Sequence, residues 1–155
     1  MKKTILRSIV SLSALIALNF ASAALAAPGE VPLRGVWDSQ VTLTDCNGNT
    51  LVSFEAFEMF HAGGTLTSTD NTPPTGHGPG VGTWTRLNRR SYSAPFQFFN
   101  FNADGSFAGT QKIMRRITIG PDGNTYTSVV NFEIYDPNGN LVFSGCGTEA
   151  ATRLP

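Results

Sequence analysis

Hydrophobic and polar residues alternate along most of the chain after residue 34. The clearest example lies in the segment 35–46: Trp37, Val41 and Leu43 occupy odd positions, and polar residues fill the even positions from 38 to 44. A period of two is typical of a β-strand with one buried face. Beyond the first 27 residues, no helical period extends over more than a turn. The pattern therefore predicts an all-β fold.

Turn signals rich in Gly, Asn and Asp divide this part of the chain into eight predicted strands. Short hairpin turns make sequential strands neighbours, which predicts an antiparallel, up-and-down order. Asn47-Gly48 predicts a tight type I′ turn after the first strand, and 70–80, rich in Pro and Gly, is the longest predicted loop. The predicted strands are 35–46, 51–60, 65–69, 81–87, 92–102, 107–119, 125–135 and 141–153.

The only two cysteines lie in the first and the last predicted strand. Export to an oxidising compartment favours a disulfide between Cys46 and Cys146, and two free buried thiols are the alternative. A bond would join the outer strands and close the sheet into an eight-stranded barrel. With the cysteines opposite each other, Ser39 would face Arg153, and Arg153 would lie diagonal to Trp37.

Residues 1–27 have the three parts of an export signal: a basic start, the apolar run Ile9–Phe20 and small-residue cleavage sites between 23 and 27. The apolar run is too short to span a membrane, and no later segment is long enough. We therefore predict a signal peptide, a single domain over 28–155 and a secreted or periplasmic location.

Charge and motif content exclude several functional classes. The predicted signal holds three of the eleven basic residues and none of the acidic ones, so the mature chain is weakly acidic. This argues against a general nucleic-acid or anionic-membrane binder. His61 and His77, the only histidines, lack the spacing of a metal site, and we expect His77 to be a flexible loop residue. With no nucleophile elbow or phosphate-binding loop, the sequence predicts no catalytic residue, metal or cofactor.

The two ends of the chain resemble the calycin signature of lipocalins and their relatives. The residues concerned are Gly35-Val36-Trp37 in the first strand and Arg153 after the last. In that group the indole packs under the arginine and closes one end of an eight-stranded barrel, so the resemblance implies a structural closure by Gly35, Trp37 and Arg153. In build the chain is closer to small bacterial calycin-like barrels. It is also similar to small periplasmic barrels that inhibit secreted metalloproteases.

Aromatic residues exceed what one face of so small a barrel must hold. The interior of an eight-stranded barrel is filled by side chains or holds one small ligand, and outward aromatics would instead mark an oligomer or partner surface. Arg115 is predicted to point inward. It would then either form an ion pair with Glu55 or Glu133, or be available to bind an anionic ligand. The candidate ligand-lining residues are Phe57, Trp84, Phe96, Phe98, Arg115, Tyr126 and Phe132.

Three functions follow as hypotheses. The leading one is a secreted, non-enzymatic barrel that binds a small apolar or aromatic ligand at its open end, and an apolar cavity below about 100 Å³ would overturn it. The second is a protein-binding or protease-inhibitor-like module that uses the exposed segments 28–34 and 70–80. The third is a barrel enzyme of cyclase type, in which the barrel mainly shapes an apolar substrate and little acid–base chemistry is needed. An inward carboxylate beside ordered water would favour this hypothesis.

Overall fold

The computed structural model describes residues 32–155, and the predicted signal peptide lies outside this range. All regular elements in the range are β-strands, and it contains no helix long and apolar enough to cross a membrane. The strands are β1 (Gly35–Thr44), β2 (Thr50–Phe60), β3 (Thr65–Asp70), β4 (Gly80–Thr83), β5 (Thr85–Arg86), β6 (Ser91–Ser93), β7 (Phe96–Phe101), β8 (Phe107–Ile119), β9 (Thr125–Tyr135) and β10 (Leu141–Arg153).

Two of the eight predicted strands are each interrupted once. Trp84 separates β4 from β5, and Ala94 and Pro95 separate β6 from β7. The interruptions do not change the register, because Val81 faces Gln97 and Arg86 faces Tyr92 in one continuous hairpin. Each neighbouring pair is antiparallel, and β10 pairs with β1. The fold is thus the predicted closed, eight-stranded, antiparallel barrel.

The predicted disulfide is present and links the segments at the end of β1 and within β10. Cys46 and Cys146 are bonded with a sulfur–sulfur distance of 2.09 Å, across a sequence separation of 100 residues. This excludes the alternative of two free thiols. The bond lies at the end of the barrel where β1 ends and β10 begins, which is called the open end below.

The predicted register between the first and last strands was wrong by two residues. Thr44, rather than Cys46, faces Cys146, and Trp37 lies directly opposite Arg153 instead of diagonal to it. The reason is local, since Cys46 lies beyond the end of β1 and has a positive φ of 65°. A residue in that conformation cannot continue a strand.

The turn after β1 also differs from the predicted type I′ turn, because Gly48 has a positive φ and Asn47 does not. Asp45 begins the turn, and its Oδ1 accepts hydrogen bonds from the backbone amides of Asn47 at 2.9 Å and Asn49 at 3.1 Å. Such a side chain offers the backbone an alternative to the strand ladder. The aspartate therefore ends the strand two residues earlier than the alternation indicates.

Trp37 and Arg153 close the other end of the barrel. The guanidinium carbon of Arg153 lies 4.1 Å from the ring centroid of the fully buried Trp37. The same guanidinium donates hydrogen bonds of 2.7 Å to the carbonyls of Pro32 and Arg34. Gly35 has a φ of 138°, and a Cβ there would lie 2.5 Å from Arg153 Nη1, so the position requires glycine. This end is called the closed end below.

Two apolar clusters fill most of the interior. The one at the closed end surrounds Trp37 and includes Leu33, Phe60 and Ile117, all almost fully buried. The one towards the open end consists of Val41, Leu43, Ala56, Ile113, Val130 and Phe132, with half-buried Phe54, Phe96, Phe98 and Ile134 packed against it.

Candidate ligand-binding site

A buried ion cluster lies inside the barrel. Arg115 on β8 points inward, as predicted, and joins Glu58 on β2 to Glu149 on β10. Its Nη1 and Nη2 lie 2.8 Å and 2.9 Å from the two carboxylate oxygens of Glu58, and Nη1 lies 3.1 Å from Glu149 Oε1. The Arg115 guanidinium carbon is also 4.6 Å from the ring centroid of Phe96. Two carboxylates thus share one guanidinium.

The carboxylate partners named from the sequence, Glu55 and Glu133, were wrong. Successive strand side chains point to opposite faces, and Glu58 lies among the inward positions of β2, so Glu55 points outward. Glu133 faces Lys112 across the β8–β9 pair and accepts a hydrogen bond from the Tyr135 hydroxyl at 2.6 Å. The alternation along β2 shows from sequence alone that Glu58 points inward. The contact of Arg115 with Glu149 could not be foreseen in this way, because it forms only when β10 pairs with β1 and closes the barrel.

Hydroxyl groups complete the cluster. The Tyr126 hydroxyl donates to Glu149 Oε1 at 2.5 Å, and Ser68 Oγ donates to Glu58 Oε1 at 2.9 Å. Burial raises the pKa of Glu58; Arg115 opposes this shift and Glu149 adds to it. Burial also raises the pKa of the Tyr126 hydroxyl, which stays protonated and is the donor. The cluster carries one more negative than positive charge when both carboxylates are ionised.

Above this cluster, a small pocket opens towards the open end. Its cavity volume is about 50 Å³, whereas pockets that enclose drug-sized ligands measure about 300–1,000 Å³. The barrel is therefore largely filled by its side chains. The pocket volume lies below the limit of about 100 Å³ set for the leading hypothesis, so a ligand site enclosed within the barrel is excluded. Its lining comprises an apolar wall that includes Val41, Phe54, Phe96, Phe98, Ile113 and Val130, a floor of Glu58, Arg115 and Glu149, and entrance residues that include Asp70, His77 and Gln111.

His77 holds the long loop against the entrance. Its Nδ1 lies 2.9 Å from the Gly78 carbonyl, and its Nε2 lies 3.1 Å from Asp70 Oδ1 and 2.6 Å from Thr72 Oγ1. These contacts join the ring to the backbone of the loop and to two side chains near the end of β3. The ring centroid also lies 5.1 Å from that of Phe98. His77 thus contacts both the loop and the aromatic wall of the pocket, and its predicted flexibility stays a prediction.

Three of the predicted lining residues meet at this pocket. Phe96 and Phe98 form part of its wall, and Arg115 lies in its floor. Tyr126 lies beneath the floor, where it also contacts the Ser39 hydroxyl at 2.9 Å. Phe132 is buried in the adjoining apolar cluster.

The other two predicted lining residues lie elsewhere. Trp84 packs against the cluster at the closed end, and its indole nitrogen donates to the His61 carbonyl at 3.1 Å. Phe57 lies on the outer face of β2 with 44% of its surface exposed. The phenylalanines of β2 therefore lie on both faces of the strand. The sequence alone does not show which face each of them occupies.

The sequence matches no protein-family model and no curated protein. Within residues 32–155, no group of three or more His, Cys, Asp and Glu side chains could hold a metal ion. The candidate site is therefore defined by its own geometry: an apolar pocket with a charged floor, open at one end of a barrel whose other end is closed.

Proposed function

We propose that this protein is a secreted, non-enzymatic barrel that binds a small apolar or aromatic molecule at its open end. The observation that carries the proposal is the asymmetry of the interior. Trp37 and Arg153 close one end, whereas apolar side chains above the buried cluster line a pocket that reaches the opposite end. Few but well-placed polar groups in an apolar pocket are typical of small-molecule sites.

The cavity volume excludes a ligand enclosed within the barrel, so the proposal is restricted to partial insertion at the open end. A cavity of about 150 Å³ can hold benzene, and this pocket measures about 50 Å³. The proposed ligand therefore inserts a narrow end of a few heavy atoms, and the rest of the molecule lies at the entrance against Phe54, Phe98 and the loop held by His77. Enclosure of a whole aromatic molecule would require these side chains to move.

Titration of the ¹⁵N-labelled protein with 1-butanol and benzyl alcohol tests the proposal. We expect saturable chemical-shift changes confined to residues around the pocket. Ala56→Leu adds bulk to a buried wall position, whereas Ala150→Leu adds the same bulk at an exposed position of β10. Binding should be lost in the first variant and kept in the second. Shifts that do not saturate, or that are equal in both variants, would contradict the proposal.

The protein-binding alternative has weaker support. Leu33 is fully buried, and the carbonyls of Pro32 and Arg34 are bound by Arg153. The described part of the segment 28–34 is therefore fixed against the barrel, as is the loop that carries His77. A partner would have to recognise these segments in their bound conformation.

The cyclase alternative has one observation in its favour, since two inward carboxylates border the pocket. Glu58 and Glu149 both form ion pairs with Arg115, however, so neither carboxylate is available as a general acid or base without breaking its ion pair. Binding without chemistry therefore requires fewer rearrangements.

We also propose a calycin-like relationship and an exported location. The relationship is supported by the contact of Arg153 with Trp37 and by the steric need for Gly35. The location is supported by the export-signal pattern of residues 1–27 and is compatible with the disulfide.

A further inference from the structure

Charge is distributed unequally between the two ends of the barrel. The four connections at the open end, which follow β1, β3, β7 and β9, each contain or adjoin an aspartate: Asp45, Asp70, Asp104 and Asp136. Side-chain hydrogen bonds within the turns lower the pKa values of Asp45, Asp104 and Asp136, so these groups are ionised at neutral pH. The arginines Arg34, Arg86, Arg89, Arg90 and Arg153 lie at the closed end, together with Asp122.

Few cations oppose this acidic rim. Asp70 Oδ1 lies 3.1 Å from Nε2 of His77. Lys112 lies over the Tyr135 ring at 4.2 Å and faces Glu133 across the β8–β9 pair. Asp70 lines the pocket entrance, whereas Asp45, Asp104 and Asp136 lie in turns at the same end without lining it. An excess of one sign of charge raises the local concentration of oppositely charged ligands. The rim therefore attracts cations to this end of the barrel.

The charges in the pocket floor also favour a cation. Arg115 supplies one positive charge to two carboxylates, and a buried charge without a partner is costly. Among the described residues, Glu58 Oε2 accepts only from Arg115 Nη2, and Glu149 Oε2 accepts only one 3.3 Å contact from Arg115 Nη1. A carboxylate offers about four acceptor positions. Each carboxylate therefore has acceptor capacity left, and both residues belong to the pocket lining.

We infer that the ligand of the open end carries a primary alkylammonium group, which enters between the phenylalanines and binds at the acidic floor. This inference rests on the proposed function and names the chemical class of its ligand. A linear ammonium has three donors and no acceptor, and it is narrow enough for a pocket of about 50 Å³. Its alkyl chain would contact the apolar wall. The aromatic rings of Phe54 and Phe98 would attract its ammonium group by cation–π interaction.

The test compares n-butylammonium chloride with its neutral analogue 1-butanol in the ¹⁵N titration, with sodium chloride used to equalise ionic strength. We expect n-butylammonium to bind at least five times more tightly than 1-butanol, and its affinity to fall with added salt. Glu58→Gln should remove most of this difference, because it neutralises the excess charge of the floor. Asp104→Asn provides a second variant at an exposed rim position that should fold normally, and it should weaken n-butylammonium binding alone.

Phe98→Leu and Phe99→Leu form a matched pair of wall variants, because Phe98 lines the pocket and its neighbour is 56% exposed on the outer face. Only Phe98→Leu should weaken binding, by about threefold or more. Equal affinities for n-butylammonium and 1-butanol would overturn the inference and leave the proposed function intact. Binding of neither probe would overturn both.

The ammonium group could belong to a free amine or to a lysine side chain. Nα-acetyl-lysine amide, which presents the same butylammonium stem on a peptide backbone, distinguishes the two sources. Binding as tight as that of n-butylammonium would indicate that the entrance accepts a peptide, and binding at least tenfold weaker would indicate a free amine. Failure of both compounds to exceed 1-butanol would contradict the inference.

Discussion

Glu58 is the residue at which burial and charge compete most directly. Its carboxylate lies beside Arg115, Glu149 and Ser68, with the Tyr126 hydroxyl bound to Glu149 in the same cluster. Burial raises its pKa above the ordinary value of 4.5, so the folded protein binds a proton more tightly than the unfolded chain. Between the pKa of Glu58 in the unfolded chain and its raised pKa in the folded protein, the folded state holds more protons. The free energy of unfolding must therefore fall as pH rises through this range.

We therefore predict that the free energy of unfolding of the wild type decreases as pH rises above about 4.5, until it passes the raised pKa of Glu58. Glu58→Gln should flatten this dependence, because the amide does not titrate. Urea denaturation at several pH values between 4 and 8 measures both slopes. The exposed aspartates have lowered pKa values and lose their contribution only at more acidic pH, so they do not obscure the comparison. Identical slopes in the two proteins would show that Glu58 does not titrate in this range.

Arg153 is the residue that joins the last strand to the start of the first. Arg153→Ala removes the stacking on Trp37 and the hydrogen bonds to Pro32 and Arg34. We expect a loss of about 1–3 kcal/mol in unfolding free energy with the far-ultraviolet circular dichroism unchanged. Arg90→Ala, in the exposed turn before β6, should change stability by less than about 0.5 kcal/mol. Equal effects would remove the support for the proposed calycin-like relationship.

At the scale of elements, the disulfide connects the two strands that are most distant in sequence. In the chain-entropy account, a bridge across about 100 residues stabilises by ~4–5 kcal/mol, less any strain. The double variant Cys46→Ser/Cys146→Ser should therefore show a markedly lower denaturation midpoint. Wild type measured with a reductant should match it, and the reductant should leave the variant unchanged. A double variant as stable as the oxidised wild type would show that the β1–β10 ladder alone holds the barrel closed.

The strands were predictable because alternation and turn residues are local signals. Strand bounds from Thr65 onwards agree closely with the sequence pattern, apart from the breaks at Trp84 and Pro95. The register of β1 against β10 was not predictable, because the side-chain hydrogen bonds of Asp45 turn the backbone away from the strand. The alternation of apolar residues does not report such bonds.

The site was predictable only in part. The surplus of aromatic residues pointed to Phe96 and Phe98, and strand parity pointed to Arg115. The partners of Arg115, however, lie on strands that meet only after the barrel closes. Two-residue alternation also leaves a phenylalanine-rich strand undecided, which is why Phe57 was assigned to the wrong face. Contacts between distant strands depend on the global register, and that register shifted by two residues.

At the scale of the whole molecule, the barrel has a closed, arginine-rich end and an open, aspartate-rich end. The buried ion cluster separates them and forms the floor of the open pocket. The interior is nearly filled, so the account assigns recognition to the narrow end of a ligand and to the entrance, rather than to a large cavity. Its central claim is that this open end binds a small molecule.

Native mass spectrometry of the protein purified from its own source tests that claim most directly. The account predicts one bound small molecule per chain, absent from Ala56→Leu and retained in Ala150→Leu when both are produced in the same way. Circular dichroism would establish that both variants are folded. A stoichiometric protein partner in place of the small molecule, or a ligand retained in Ala56→Leu, would contradict the account.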